Sequence, residues 1–147
     1  MSELRDLYQE VILDHRKKPR NFREIPEANR RLDGFNPLCG DKITVYVVVQ
    51  DGVVQDVGFQ GEGCAISTAS ASMMTECLKG KTEEQAEGLF HRFQRLVKGE
   101  SEASSELGKL AVFGGVSEFP LRVKCATLPW HTLHGALQER EQAVTTE

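Results

Sequence analysis

Apolar residues along this chain fall first into a helical spacing, then a strand spacing, then helical spacings again. Leu4, Leu7, Tyr8, Val11 and Ile12 recur at helical intervals and predict an amphipathic helix from Ser2 to about Lys18, ended by Pro19. Arg30 to Phe35 carries a weaker pattern, that of a short edge strand. From Lys42 to Gly61 the period changes to two, through Ile43, Val45, Val47 and Val49, then Val53, Val57 and Phe59. Asp51-Gly52 between the two runs marks a hairpin. A two-residue loop would pair Gln50 with Val53 and Val45 with Gly58, splitting the apolar residues between faces. A three-residue loop, Gln50 to Gly52, pairs Val49 with Val53, Val45 with Val57 and Ile43 with Phe59. That register gathers the apolar residues on one face and is the one expected.

Gly61-Glu62-Gly63 turns the chain into a helix from Cys64 to about Lys79, rich in Ala and Ser. Small side chains let such a helix lie close on a sheet. Thr82-Glu83-Glu84-Gln85 has the form of a capping box and opens a helix to about Val97, with Ala86, Leu89, Phe90 and Phe93 inward. A polar connection, Lys98 to Ser105, leads to a short helix from Glu106 to Phe113 that stops at Gly114-Gly115. Ser117 to Pro120 starts a last helix, which Pro129 must kink or restart before Trp130, Leu133, His134 and Leu137. The expected fold is α+β: a small three-stranded antiparallel sheet with helices packed on it. Residues 1–140 are expected to form one domain and 141–147 a flexible tail.

The chain has 147 residues, long enough for a real core, and a net charge of −4. That balance gives no global pull toward nucleic acid or an anionic membrane. There is no apolar N-terminal run of the signal-peptide kind and no stretch long enough to span a bilayer. The expected location is the cytoplasm, where thiols stay reduced and cysteines serve metals or chemistry more often than disulfides. His15 to Arg20 is a basic segment, read either as a solvated helix end or as a docking patch for an acidic partner.

Four groups then change the picture. Asn36-Pro37-Leu38-Cys39-Gly40-Asp41 puts a thiol and a carboxylate two residues apart in a tight loop. In the expected register Asp41 lies opposite Gly61 and Cys39 opposite Gly63, with Cys64 next, so all three meet at the open end of the hairpin. Cys64 begins a helix, where the dipole favours its thiolate. Cys125 sits one to two turns into the last helix. Three thiolates and one carboxylate complete a tetrahedral shell for zinc, and the single hard oxygen suggests a ligand that can be exchanged. Arg122 and Lys124 are placed to offset the excess negative charge. Cys77, beside Met73 and Met74, reads as a packed, inert thiol.

Several blocks carry a family resemblance. They are Leu7 to His15, Pro19-Arg20-Asn21, Asn36 to Asp41, Gly61 to Ser67 with Ala69 to Thr75, and Phe119 to Leu128. Together they resemble the SufU branch of the IscU/NifU-like iron–sulfur assembly proteins. Scaffold-type IscU proteins have a His immediately before the third cysteine, where this chain has Lys124, and lack an extra segment like that around Ser101 to Ser117. The resemblance implies a zinc ion on Cys39, Asp41, Cys64 and Cys125. It implies sulfurtransferase work, with Cys39 taking persulfide sulfur from a SufS-like cysteine desulfurase after a partner histidine displaces it from zinc. SufBCD-type assembly proteins or apo iron–sulfur proteins would lie downstream.

Other readings compete. The same cysteines could instead hold a two-iron two-sulfur cluster on a scaffold, or a zinc that only shapes a partner-binding module. A cysteine hydrolase built on Gly61-Glu62-Gly63-Cys64 needs a nearby His, and the sequence puts none of His15, His91, His131 or His134 there. His131 and His134 read as surface and packing residues.

Overall fold

The Asp51-Gly52 hairpin forms, but by a different route from the expected one. The computed structural model describes residues 2–100, 105–139 and 142–145. Strand β2, Asp41–Gln50, returns as β3, Val53–Glu62. Asp51 and Gly52 both have positive φ, 55° and 73°, the two-residue turn that Asp-Gly favours. Gln50 therefore pairs with Val53 and Val49 with Val54. A bulge then intervenes: Val48 pairs with Asp56, which leaves Gln55 as an extra residue in β3. Beyond it Val47 pairs with Val57, Val45 with Phe59 and Ile43 with Gly61, so the expected pairs of Val45 with Val57 and Ile43 with Phe59 do not occur. The physical demand that motivated them is still met. Val45, Val47, Val54 and Val57 are all fully buried. The slip needed to share a face is placed in the strand instead of the loop.

The sheet has four strands, not three, in the order β3-β2-β1-β4. Strand β1, Arg30–Asn36, runs antiparallel to β2. Its far side, expected to be an edge, takes β4, Val144–Thr145, in parallel opposite Gly34 and Phe35. Two residues carry no period, so nothing in the pattern could announce β4. Within the expected tail, 141 and 146–147 lie outside the described residues.

Helices α2, Ala65–Leu78, and α4, Pro120–Leu137, cover one face of the sheet. Helix α1, Ser2–Lys17, lies on α2, and α3, Glu83–Val97, lies on α4. The Thr82–Gln85 capping box forms with both of its bonds. Gly34 lets α4 approach β1, since a Cβ there would stand 2.0 Å from Thr132 Oγ1. Pro120 opens α4 as expected. Pro129 stays inside the helix, and its missing N–H leaves the Cys125 carbonyl without its helical partner. The short helix expected from Glu106 to Phe113 is a longer 3₁₀ run, Ser105–Glu118, broken at Gly108. Its buried residues Leu107, Leu110, Phe113 and Val116 fall every third position, the repeat of a 3₁₀ turn. Part of the polar connection before it, 101–104, lies outside the described residues. Trp130 stacks on Phe93 at 4.8 Å in the centre of this layer. Among the described residues no helix is long and apolar enough to cross a membrane.

His15 departs from the solvated reading of its basic segment. Arg16, Lys17 and Lys18 are exposed, but the His15 ring is buried. Its Nδ1 lies 2.6 Å from Ser72 Oγ on α2, and the same hydroxyl accepts from the Arg20 N–H. Burial holds the His15 pKa below the ordinary 6.5, helped by Arg20 and Lys109 and opposed by Glu76 and Asp14. The unfolded chain therefore takes up a proton near pH 6.5 while the folded chain resists it. The stability this ring contributes is complete above that pH and is lost as pH falls below it. Melting curves from pH 7.5 to 5 should fall more steeply for the native chain than for His15→Gln. Parallel curves would show that this ring does not couple to folding.

Candidate metal centre

A loop and three elements deliver the candidate ligands to one end of the sheet. Cys39 sits in the loop between β1 and β2, where its N–H bonds the Asn36 carbonyl at 3.3 Å and Gly40 takes a φ of 72° to close the turn. Asp41 is the first residue of β2 and is buried, 1 % exposed. Cys64 is the N-cap of α2, and its sulfur accepts the Ser67 N–H at 3.4 Å. Cys125 lies in α4 and is fully buried.

Cys39, Asp41 and Cys125 have ligand atoms within 4.8 Å of one another. Cys125 Sγ stands 3.3 Å from Cys39 Sγ. Cys64 stands just outside that mutual group, its sulfur 4.0 Å from Asp41 Oδ2. It is tied to Asp41 more firmly through the backbone, where Asp41 Oδ1 accepts the Cys64 N–H at 2.9 Å. That bond fixes the start of β2 to the start of α2.

The donor set suits zinc. Zinc–sulfur bonds of about 2.3 Å at tetrahedral angles put two sulfurs roughly 3.8 Å apart. Small side-chain rotations would bring the 3.3 Å between the Cys39 and Cys125 sulfurs into that range. The charges are arranged unevenly. The Cys64 thiol is drawn down to about 6, first by its hydrogen bond with Cys125 and then by the Ser67 N–H, against burial. Cys125 is pushed well up, by that same bond and by burial. A bound cation would favour the thiolate at both sulfurs. The Arg122 guanidinium contacts Cys125, which raises its own pKa. Cys39 is the exposed member, flanked by Leu38, 62 % exposed.

Residues outside the expected set matter here. Asn36 is buried with its amide against Asp41 and Cys125. Its signal was the alternation in β1: Leu32, Gly34 and Asn36 share the inner face, an odd place for an amide. Ser70, expected only to pack, donates to the Ala126 carbonyl at 2.6 Å and joins α2 to α4 beside Cys125. Cys77 is half-buried with its pKa raised chiefly by burial, in keeping with a packing role. His134 stacks on Phe90 and lies 2.8 Å from Glu87, again a packing role.

Comparison with known proteins gives a consistent picture. Residues 7–126 match the family model described as the NifU-like N terminal domain. The chain is 42 % identical over 141 residues to the zinc-dependent sulfurtransferase SufU of Bacillus subtilis, covering 95 % of each chain. It is 39 % identical over 144 residues to the iron-sulfur cluster assembly scaffold protein IscU of Streptococcus pyogenes, covering 97 % of this chain and 90 % of that one. Among solved structures it is similar to a putative iron-sulfur cluster assembly scaffold protein for the SUF system from Fervidobacterium islandicum. The TM-score is 0.84 at 37 % identity, over 89 % of this chain and 96 % of that one.

Proposed function

The chain belongs to the family of NifU-like N terminal domains, and from that premise we propose that it serves iron–sulfur cluster assembly as a zinc-dependent acceptor and carrier of persulfide sulfur. The observation that carries this reading is the contrast within the donor set. Asp41 and Cys125 are buried, while Cys39, 3.3 Å from Cys125, is exposed on a loop. A thiol so placed can meet a partner's persulfide without the other donors moving.

Cys39, Asp41, Cys64 and Cys125 are the proposed ligands. Zinc, when bound, would keep the sulfurs deprotonated and shield them until one is released. The donor is a cysteine desulfurase carrying a persulfide, SufS-like in chemistry. The Cys39 thiolate attacks the outer sulfur of that persulfide. A new sulfur–sulfur bond forms on Cys39, the partner's sulfur–sulfur bond breaks, and the partner cysteine leaves as a thiolate. The sulfur is then passed to a downstream assembly protein or an apo iron–sulfur protein.

Lys124 favours this reading over the scaffold one, because an ammonium beside Cys125 adds no nitrogen ligand where the scaffold branch has a histidine. The test is the purified chain. A colourless protein with stoichiometric zinc that accelerates a cysteine desulfurase is the expected result. A brown protein holding iron and sulfide, inert toward the desulfurase, would replace this reading with the scaffold.

A further inference from the structure

Asn36 has no task in the reading above. It is the last residue of β1 and is fully buried. Its side-chain Nδ2 donates to Asp41 Oδ2 at 3.5 Å and to Cys125 Sγ at 3.6 Å. Its link to Cys39 is of a different kind, the backbone bond from the Cys39 N–H to the Asn36 carbonyl. Its Oδ1 is buried with no hydrogen-bond partner among the described residues.

These facts constrain one another. With a metal bound, the Asp41 carboxylate and the Cys125 thiolate only accept hydrogen bonds, so the amide must turn its N–H groups toward them. The opposite orientation would set a carbonyl oxygen against two anions. The required orientation strands Oδ1, and a stranded buried carbonyl costs stability. A leucine would fill this space without that cost. The amide is therefore kept for what its two N–H groups do. An N–H donated to a thiolate draws charge off the sulfur and makes it a poorer nucleophile and a less exchangeable ligand. Cys125 receives such a bond from the Asn36 side chain, and Cys39 does not.

Resting on the zinc-site reading, we propose that Asn36 is a positioning residue that decides which thiolate leaves. It holds Cys125 as a permanent ligand, so release and reaction fall on Cys39.

The test is the order in which the sulfurs react. The zinc-loaded full chain is treated with limiting iodoacetamide, and alkylated cysteines are located by mass spectrometry over time. The native chain should be labelled first at Cys39 and last at Cys125. In Asn36→Leu, which keeps bulk and removes both donors, labelling of Cys125 relative to Cys39 should rise about tenfold or more, the usual scale of outer-partner effects at zinc sites. A residue that merely fills space would shift the melting temperature and leave this order unchanged, which would overturn the proposal. A second measurement needs no variant. In the cadmium-113-substituted native chain, the Asn36 side-chain amide protons should show coupling to cadmium through the Cys125 sulfur, and its absence would also overturn the proposal. A native chain that takes up neither zinc nor cadmium would sink the metal-site reading itself. A loaded chain with an unchanged labelling order sinks only the role of Asn36.

Discussion

Cys39→Ser is expected to abolish sulfur uptake from the desulfurase, and Asp41→Ala to remove most of it while keeping much of the zinc. The first follows from chemistry: a serine hydroxyl stays protonated near neutral pH and does not attack a persulfide. The second follows from two bonds made by one carboxylate. Asp41 Oδ1 accepts the Cys64 N–H at 2.9 Å, and Oδ2 faces the sulfurs. A hydrogen bond to a charged group contributes about 1.5–3 kcal/mol, so its loss loosens the start of α2. Three sulfurs can still hold zinc. The site then carries less negative charge, the remaining sulfurs are bound more tightly, and Cys39 is harder to release. Uptake should fall by roughly 10–100-fold. Cys77→Ser should change neither quantity, because that thiol packs in α2 with its pKa raised by burial. Zinc content is measured beside radiolabelled-sulfur uptake for the three variants. Full uptake by Cys39→Ser would displace it as acceptor, and full uptake by Asp41→Ala would end the exchangeable-ligand argument.

The convergence of loop, hairpin and helix was legible before any coordinates, because it needs only strand direction and chain order. Cys39, Asp41 and Cys64 meet at the open end of the hairpin under any small change of register. The register itself was not legible. Val54 and Val57 are an odd number of residues apart, and both are fully buried. That spacing admits a bulge in β3 as readily as a longer loop. A turn with two positive φ values satisfies Asp-Gly locally, and the bulge at Gln55 absorbs the slip. His15 was hidden by its neighbours. It stands beside three exposed cations, and only the docking of α1 on α2 buries it against Ser72. The helix around Glu106 to Phe113 was expected, but not its 3₁₀ form, because a period of three resembles an α-helical period over so few residues. Asn36 shows the opposite case. Its place on the inner face could be read from β1, but its partners could not, since Cys125 is 89 residues away.

Removing the metal is expected to lower the melting temperature by roughly 8–20 °C. The proposed ligands lie on the β1–β2 loop, the start of β2, the start of α2 and the interior of α4, so a bound ion would act as a crosslink. Cys39 and Cys125 are 86 residues apart. Closing a loop of that length in the unfolded chain corresponds to about 4–5 kcal/mol in the chain-entropy treatment of crosslinks. Each kcal/mol moves the melting point of a domain this size by roughly 2–4 °C. The free energy of zinc in small metal-dependent peptides is larger, about 10–16 kcal/mol, but those peptides have no fold without it. This chain keeps its own core in Val45, Val47, Phe93 and Trp130, so the metal-free form should remain folded. The measurement is a thermal melt before and after chelation, with zinc loss verified by elemental analysis. An unchanged melt after verified removal would show that the site adds nothing to folding, and complete unfolding at 25 °C would show that the core cannot stand without the crosslink.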